Sequence, residues 1–508
     1  MSGLINSAIK RAAALPAALA VLLAACSGPA DFHPSVVNIK TYKDIRGVTA
    51  EEAAAVEAMA SARDTFVYGH ILEKESFRLP GEAFSGFTVE LFEFIGGLLG
   101  ITFVPRYFEE LNSLTESLGN GEIDIACGVV GEPERSLVTA PIAGRRMNVY
   151  ARADAASAKN MAGLGGHKVG FLKNTGTLDV LHRHYSGLPF EPVEAEGFSE
   201  AAKMIESGGI DFFIVDRDVT QFFERYANIR RQKFSSLVYT PITLVAVNDK
   251  LAPAISIFNK YLRAGGTAKV FELYEKGETE YRKQLLYSAV TSEERAYIDS
   301  VKVSGGVVPV GFQHDAYPSC FYNHIEKKYQ GIAPDILTEV AKLTGLRFEE
   351  TATTNQSSLA DMLQKLRDGE LSIVTQMLYS KSREEDFIWS ASPYLSTRYA
   401  LISRLDFPKV DNYRVYYHRI GLVDKSVHAE MFDLWFPNHG YKTFYATGNE
   451  LFDALEKGDL CLAMVSENML WAMTNFREKT GYKVNVSFDY MQEARFGYNK
   501  KDVVLRNI

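Results

Sequence analysis

Short apolar runs alternate with longer amphipathic segments along most of the chain. The run TFVYGHI (65–71) predicts a strand, GFTVELFEFIGGLLG (86–100) predicts a helix that ends at glycine, and ITFVPRYF (101–108) predicts a second strand. The helical pattern LNSLTESLGNG (111–121) and the apolar run IDIACGVV (123–130) follow. This βαβαβ order is typical of a sheet of mostly parallel strands with helices on both faces.

The same alternation then begins again. Strands are predicted at KVGFLK (168–173) and IDFFIVD (210–216), with the helix SEAAKMIESG (199–208) between them. The strands of SSLVYTPITLVAVN (235–248) and the helix APAISIFNKYLRAGG (252–266) then return the chain to the first group of strands and helices. The pattern therefore indicates two α/β lobes, with the chain crossing between them twice.

This whole arrangement occurs twice. Gly331 follows Gly86 by 245 residues, and Arg383 follows Arg135 by 248 residues. An offset that changes by only a few residues indicates two copies with small loop insertions, and its length is that of a domain and not of a solenoid repeat. We therefore predict an α/β fold of two tandem bilobed domains, each with two lobes and mostly parallel sheets.

The sequence predicts five segments. They are a signal peptide over 1–26, a tether with a short helix over 27–64, a first domain over 65–288 with its second lobe at about 150–232, a helical linker over 289–301, and a second domain over 302–508 with its second lobe at about 403–486. Thr291 or Ser292 followed by two glutamates predicts the start of the linker helix. The second copy ends at NKKDVVLRNI, where we expect its closing helix to be truncated.

Composition is consistent with a globular protein. Of the 508 residues, 46% are apolar and 23% are charged, and the formal net charge is −8. A negative chain is a poor partner for nucleic acid or for an anionic membrane surface. Cys127, Cys320 and Cys461 have no spacing that indicates a disulfide framework or a zinc site, and we expect neither a metal nor a cofactor.

The N-terminus predicts export. Lys10 and Arg11 precede an apolar run of fourteen residues (12–25), which is too short to span a membrane comfortably. The run ends in Leu-Ala-Ala-Cys at Cys26, which resembles the lipobox of bacterial lipoproteins. That resemblance implies cleavage before Cys26 and a lipid on its sulfur. The alternatives are an ordinary cleaved signal and an uncleaved anchor, and both also export the chain.

Both copies resemble the family 3 periplasmic solute-binding proteins. The elements that carry the resemblance are the glycines that open the first helix (86 and 331), the Gly-Glu pair before a strand, the loop that ends in arginine, and the strand VGFLKNTGT (169–177). The family implies a type II clamshell that binds amino acids or related small molecules. The tandem resembles the input regions of bacterial sensor kinases and diguanylate cyclases.

The resemblance implies a ligand site in each copy. Arg135 and Arg383 match the arginine that binds the ligand's carboxylate, a role that suits a guanidinium because it donates two parallel charged bonds. The alternative is that each arginine forms a surface ion pair. Hydroxyl groups of the opposite lobe match at Thr175 and Ser426, and Thr375 belongs to the fuller cleft of the second copy.

Other predicted site residues differ between the copies. Asp216 matches the carboxylate that accepts a ligand ammonium group, whereas the second copy has Ser466 at that position. This difference puts ordinary amino-acid binding by the second copy in doubt. Tyr317 and Phe321 are predicted to form the pocket wall of the second copy, and Phe77 is their weaker counterpart in the first.

Three classes of function remain. The first is the periplasmic ligand-sensing region of a signalling protein, with an anionic or zwitterionic small molecule as ligand and an output module as partner. The second is a lipid-anchored binding protein that delivers its ligand to a transporter. The third is a periplasmic enzyme on the same fold, which we rank last because the sequence contains no argued catalytic set.

The lipobox makes a testable prediction. If Cys26 carries the lipid, the mature protein partitions into detergent, and Cys26→Ala either releases it into the aqueous phase or blocks its processing. Phase separation followed by mass spectrometry of the N-terminus measures both. A soluble, unmodified product that begins at another residue would contradict the lipoprotein reading.

Overall fold

The chain forms two compact units, which divide between Tyr281 and Arg282. The computed structural model describes residues 39–508 except 63, 80, 82, 130–135, 186, 236–237, 352–358 and 477. Cys26 lies outside the described residues. Over those described ranges, no helix is both long and apolar enough to cross a membrane.

The first unit has one sheet in each of its two lobes. Its strands are β1 (Thr65–His70), β2 (Phe77–Arg78), β3 (Phe84–Ser85), β4 (Thr102–Tyr107), β5 (Ile125–Cys127), β6 (Leu137–Val138), β7 (Ala143–Arg146), β8 (Asn148–Arg152), β9 (Lys168–Leu172), β10 (Glu191–Ala195), β11 (Phe212–Val215), β12 (Ile229–Arg231), β13 (Tyr239–Ile242) and β14 (Leu244–Ala246). The first sheet has the order β4-β1-β5-β14-β6, and the second has the order β10-β9-β11-β8-β12. Strands β7 and β13 pair at the crossing between the lobes.

Helices cover these sheets. They are α1 (Ala50–Ala62), α2 (Phe87–Leu99), α3 (Leu111–Gly119), α4 (Thr177–His184), α5 (Phe198–Ser207), α6 (Thr220–Phe223), α7 (Ala252–Tyr261) and α8 (Thr267–Ala289). The side chains of Leu91, Phe92 and Ile95 on α2 are buried against the first sheet in one apolar cluster. Their spacing of one, three and four residues is that of a helix face, as the sequence pattern predicted.

In the second unit a single sheet runs through both lobes. The strands of this unit are β15 (Val307–Gly311), β16 (Asp315–Ala316), β17 (Cys320–Asn323), β18 (Lys328–Gln330), β19 (Arg347–Glu350), β20 (Ile373–Leu378), β21 (Phe387–Trp389), β22 (Leu395–Arg404), β23 (Ile420–Val423), β24 (Lys442–Tyr445), β25 (Leu462–Ser466) and β26 (Tyr482–Asn499). Strands β16, β17 and β18 form a separate three-stranded sheet, and the others belong to the large one. The order is β19-β15-β20-β26-β22-β25-β23-β24, and β21 also pairs with β26. The helices are α9 (Ser292–Val303), α10 (Ile332–Thr344), α11 (Leu359–Asp368), α12 (Val427–Trp435), α13 (Gly448–Lys457), α14 (Asn468–Trp471) and α15 (Val503–Asn507).

The sheets are mixed and not mostly parallel. Strands β1, β4 and β5 are parallel to one another, as are β9, β10 and β11, and the βαβ order predicts this. The strands that cross between the lobes enter each sheet from the other end. They therefore pair antiparallel, as β14 does with β5 and β26 with β20.

Polar caps begin the predicted helices at the expected residues. Thr49 and Glu52 exchange hydrogen bonds at the start of α1. Thr291, and not Ser292, caps α9, because its hydroxyl accepts from the Glu294 N–H while the Glu294 carboxylate accepts from the Thr291 N–H. Such a reciprocal box satisfies two backbone donors that a helix start would leave unpaired.

The glycines that open α2 and α10 are required by the backbone. Gly86 has φ of 116° and Gly331 has φ of 118°, a region that is almost closed to other residues. A Cβ on Gly86 would lie 2.5 Å from the Glu75 carbonyl oxygen, and one on Gly331 would lie 2.7 Å from that of Pro318. The repeated Gly therefore has a conformational and a steric cause in both units.

Gly331→Ala tests this cause. We expect it to destabilise the second unit by about 1–3 kcal/mol from the backbone alone, with a further cost from the displaced carbonyl. All three tryptophans, Trp389, Trp435 and Trp471, lie in the second unit, so tryptophan fluorescence reports its unfolding in urea. Gly440→Ala is the control because its Cβ would have open space. Equal midpoints for both variants would contradict the argument.

Candidate functional site

A buried carboxylate between two arginines lies where the lobes of the first unit meet. Glu73 follows β1 in a tight turn, in which its N–H and carbonyl exchange hydrogen bonds with those of Ser76. One Glu73 oxygen lies 2.8 Å from Arg145 Nη2, and the other lies 3.2 Å from Arg217 Nη1. Arg145 belongs to the crossing strand β7, and Arg217 follows β11 of the second lobe, so Glu73 ties three parts of the unit together.

The two guanidinium groups have carboxylates and a backbone carbonyl of the same unit around them. Both donate to the Gly128 carbonyl, at 3.0 and 2.9 Å. Arg217 Nε lies 3.1 Å from Asp216 Oδ1, and Arg145 Nε lies 3.4 Å from Glu75 Oε1. Burial alone would lower the pKa of Arg145, but Glu73 and Glu75 raise it above its usual value. Arg145 therefore has its counter-charges within the chain and needs no external anion.

The two lobes of the first unit are also joined by backbone and apolar contacts. The Lys74 N–H donates to the Asp218 carbonyl at 2.8 Å, and the Phe198 N–H donates to Glu110 Oε2 at 2.6 Å. One buried apolar cluster contains Phe108 of the first lobe and Phe198 of the second. The first unit is therefore closed, with its own side chains between the lobes.

The site predicted for the first copy is changed by this packing. Asp216 does not face an open cleft, because its side chain is only 14% exposed and is paired with Arg217. Desolvation would raise the pKa of its carboxyl, but Arg217 and Arg145 lower it. Phe77 is not a pocket wall, because it is completely buried against Tyr281. Thr175 donates to the Leu172 carbonyl at 2.9 Å. Arg135 lies outside the described residues.

The second unit contains a cavity of about 190 Å³ between its lobes. It opens into a wider cleft of about 740 Å³. The polar side chains that line the inner cavity come from both lobes and from the crossing strands: Gln313, Tyr317, Ser319, Gln376, Arg383, Thr397, Ser426, His428, Ser466, Asn468 and Gln492. The lobes of this unit also touch directly, because Leu378 of β20 packs against the apolar cluster of the second lobe that contains Val427 and Phe432.

Arg383 is the cationic group of this cavity. It ends a 3₁₀ turn over Lys381–Arg383, and its side chain is only 8% exposed in total. Its guanidinium donates to the Lys425 carbonyl at 3.1 Å and to the Leu378 carbonyl at 3.5 Å. Among the described residues, no carboxylate lies within ion-pair distance of it. Burial lowers the pKa of Arg383, and Glu430 opposes that shift only in part.

Ser426 lies beside Arg383 in the lining of the cavity. It caps α12, where its Oγ accepts from the Ala429 N–H at 3.2 Å and donates to the Val423 carbonyl at 2.7 Å. Tyr317 also lines the cavity, and the Phe321 ring lies 5.1 Å from the Tyr317 ring as the second layer of that wall. The structure therefore brings together three of the predicted residues and supports them with a fourth.

Thr375, a predicted site residue, does not line the cavity, whereas the next residue does. It is completely buried, and its hydroxyl donates to the Gly311 carbonyl at 3.2 Å. Gln376, the next residue on β20, lines the cavity instead. Successive residues of a strand face opposite sides, so a shift of one position exchanges the core face for the cleft face.

Two polar atoms of the cavity lining, Gln376 Oε1 and Asn468 Nδ2, are buried without a hydrogen-bond partner in the described structure. His428 and Gln492 also line the cavity, and their side chains interact with each other. Sequence reasoning missed all four residues, although a glutamine within the apolar strand "SIVTQML" was a signal. Burial lowers the pKa of His428 to about 4, so the imidazole is neutral near pH 7. Buried polar groups normally have partners, so the two unpartnered atoms indicate a place for ligand groups.

Comparisons with known proteins agree with this geometry. Residues 308–495 match the family of bacterial extracellular solute-binding proteins, family 3. A solved structure described as "VC protein" is 18% identical with a TM-score of 0.53, over 87% of this chain and 95% of that chain. The periplasmic domain of BvgS from B. pertussis is 16% identical with a TM-score of 0.42, over 89% and 88%. No curated protein matches the chain.

Most of the second copy is thus similar in sequence to family 3 solute-binding proteins. The structural likeness at a TM-score of 0.53 extends over most of the chain and confirms the predicted class of fold, two bilobed α/β clamshell domains in tandem.

Glu73→Gln tests the closed first unit. It leaves Arg145 and Arg217 buried with less negative charge, and removal of one partner from a buried ion pair costs about 3–5 kcal/mol. We expect the urea transition seen by circular dichroism for the first unit to move to lower urea, while tryptophan fluorescence of the second unit is unchanged.

Glu196→Gln is the matched control, because it removes an exposed carboxylate that pairs with Lys173 in the same unit. Exposed pairs contribute little, so this variant should unfold like the parent. If both variants behave alike, the Glu73 cluster does not stabilise the closed first unit.

Proposed function

We propose that this protein is an exported small-molecule binding protein, and that it is the periplasmic ligand-sensing region of a signalling protein. In this proposal the second domain, residues 302–508, binds an anionic or zwitterionic ligand between its lobes. The single observation that carries it is the buried charge of Arg383, which lines the cavity and has only backbone carbonyls as described partners.

An anion would complete this site. A carboxylate can accept two parallel charged bonds from a guanidinium. It would at the same time reach Ser426 and the start of α12, where backbone N–H groups favour negative charge. A ligand that contacts both lobes binds the closed arrangement more tightly than an open one. Its differential affinity would then shift the unit toward closure.

The first domain has a different role in this proposal. Its arginines already have Glu73, Glu75 and Asp216 as anions, so we assign it a structural role without a ligand. One ligand-responsive domain beside one that is closed by its own side chains suits a sensor, because the closed domain gives the moving one a fixed reference.

Delivery of a ligand to a transporter is the alternative that the lipobox at Cys26 favours. Both functions need the same cleft, and both place the protein at the cell envelope with an N-terminal lipid or anchor. Loss of the transported solute's uptake in cells that lack the protein would favour delivery. A changed transcriptional response with normal uptake would favour sensing.

Substitution of Arg383 tests the binding site itself. Purified protein is screened with amino acids and small carboxylates by thermal unfolding monitored by tryptophan fluorescence, which reports the second unit, and hits are measured by calorimetry. We expect Arg383→Ala to weaken binding by about 2–5 kcal/mol, a factor of roughly 30 or more. Arg383→Lys should lose almost as much, because lysine keeps the charge without the bidentate geometry.

Arg404→Ala is the control variant. Arg404 belongs to the same unit but is exposed and pairs with Asp406 outside the cavity. It should bind like the parent. If Arg383→Ala also binds like the parent, Arg383 is not the anion-binding group and the proposal fails.

A further inference from the structure

The end of β25 differs from its counterpart in the first unit in a way that bears on the ligand's chemistry. In the first unit, Asp216 follows β11 and supplies a carboxylate to the buried arginine cluster. In the second unit Ser466 holds that position and lines the cavity. The neighbouring Glu467 is not part of the inner lining, and its carboxylate accepts a hydrogen bond from the Ser487 hydroxyl.

The inner cavity has no anionic side chain among its described lining residues. The carboxylates of Asp386, Asp424 and Glu430 line the wider cleft instead. An ammonium group placed beside Ser466 would therefore be buried next to uncharged side chains of the described inner lining. An isolated buried charge is far more costly than a buried neutral group with a hydrogen-bond partner.

The two unpartnered atoms describe what the ligand must offer instead. Gln376 Oε1 accepts hydrogen bonds and Asn468 Nδ2 donates them, while the neutral His428 ring interacts with the Gln492 side chain. Asn468 is 7% exposed, so water cannot satisfy it freely. A hydroxyl or an amide on the ligand can serve such a mixed set of donors and acceptors without adding charge.

Building on the proposed function, we propose that the second domain selects small organic carboxylates that carry neutral hydrogen-bonding groups in place of a protonated amine. Arg383 binds the carboxylate, and the uncharged side chains around Ser466 discriminate against an ammonium group at the next position.

Matched pairs of 2-hydroxy and 2-amino acids test this selection. The probes are L-lactate with L-alanine, L-malate with L-aspartate, L-2-hydroxyglutarate with L-glutamate, and L-phenyllactate with L-phenylalanine. Each is titrated into the full chain by calorimetry. We expect that in every pair with measurable binding the hydroxy acid binds about tenfold tighter or more, a difference of about 1.4 kcal/mol.

Ser466→Asp restores a carboxylate at the strand end and should shift the ratio of affinities toward the amino acid by about tenfold or more. Ser396→Asp is the control, because it adds the same charge on the solvent side of β22, between the cavity-lining residues Leu395 and Thr397. The ratio of hydroxy-acid affinity to amino-acid affinity in this control should equal that of the parent. The parent's own preference tests the proposal even if Ser466→Asp fails to fold.

The outcomes separate this inference from the proposed function. If the amino acids bind as tightly as the hydroxy acids or more tightly, and Arg383→Ala abolishes that binding, the selection fails while the binding function stands. If neither class binds, or if Arg383→Ala changes nothing, both fail. A preference for hydroxy acids that Ser466→Asp reverses supports both.

Discussion

A guanidinium group buried between two lobes must meet an anion, and this requirement governs both halves of the molecule. In the first unit Glu73, Glu75 and Asp216 supply the negative charge from within the chain. In the second unit Arg383 has only carbonyl oxygens as described partners. Carbonyl dipoles reduce the cost of burying the charge but do not cancel it. The remaining cost is what a bound anion would remove.

The same constraint explains why two copies of one fold differ so much inside. Once a carboxylate from the chain neutralises the arginines, apolar residues such as Phe108 and Phe198 can fill the space between the lobes. Where the charge is not neutralised, the cleft keeps its polar lining of amides and hydroxyls. A few charged residues thus separate a unit whose lobes are joined by its own side chains from one that keeps a polar cavity, although strand order and helix starts are common to both.

The sequence predicts the features that depend on local chemistry and periodicity. The βαβαβ order, the caps at Thr49 and Thr291 and the duplicated Gly86 and Gly331 are of this kind. Arg383 and Ser426, which the sequence singles out as site residues, both line the cavity. Features that depend on distant partners were missed. Nothing near Glu73 in sequence indicates that it meets Arg145 and Arg217. The sequence also does not show which side of strand β20 faces the cavity, so Thr375 was predicted as a site residue in place of Gln376.

The long strand β26 serves two purposes at once. Its 18 residues correspond to about 60 Å of extended chain, and it pairs with β20 in one lobe and with β22 along the crossing. Gln492 and Ala494 on this strand also line the cavity. One continuous strand therefore both lines the cavity and connects the two lobes. A change in the twist of this strand at Gln492 would be transmitted to both lobes along the backbone itself. The backbone N–H groups that pair β26 with β20 and β22 would then report whether the cavity is occupied.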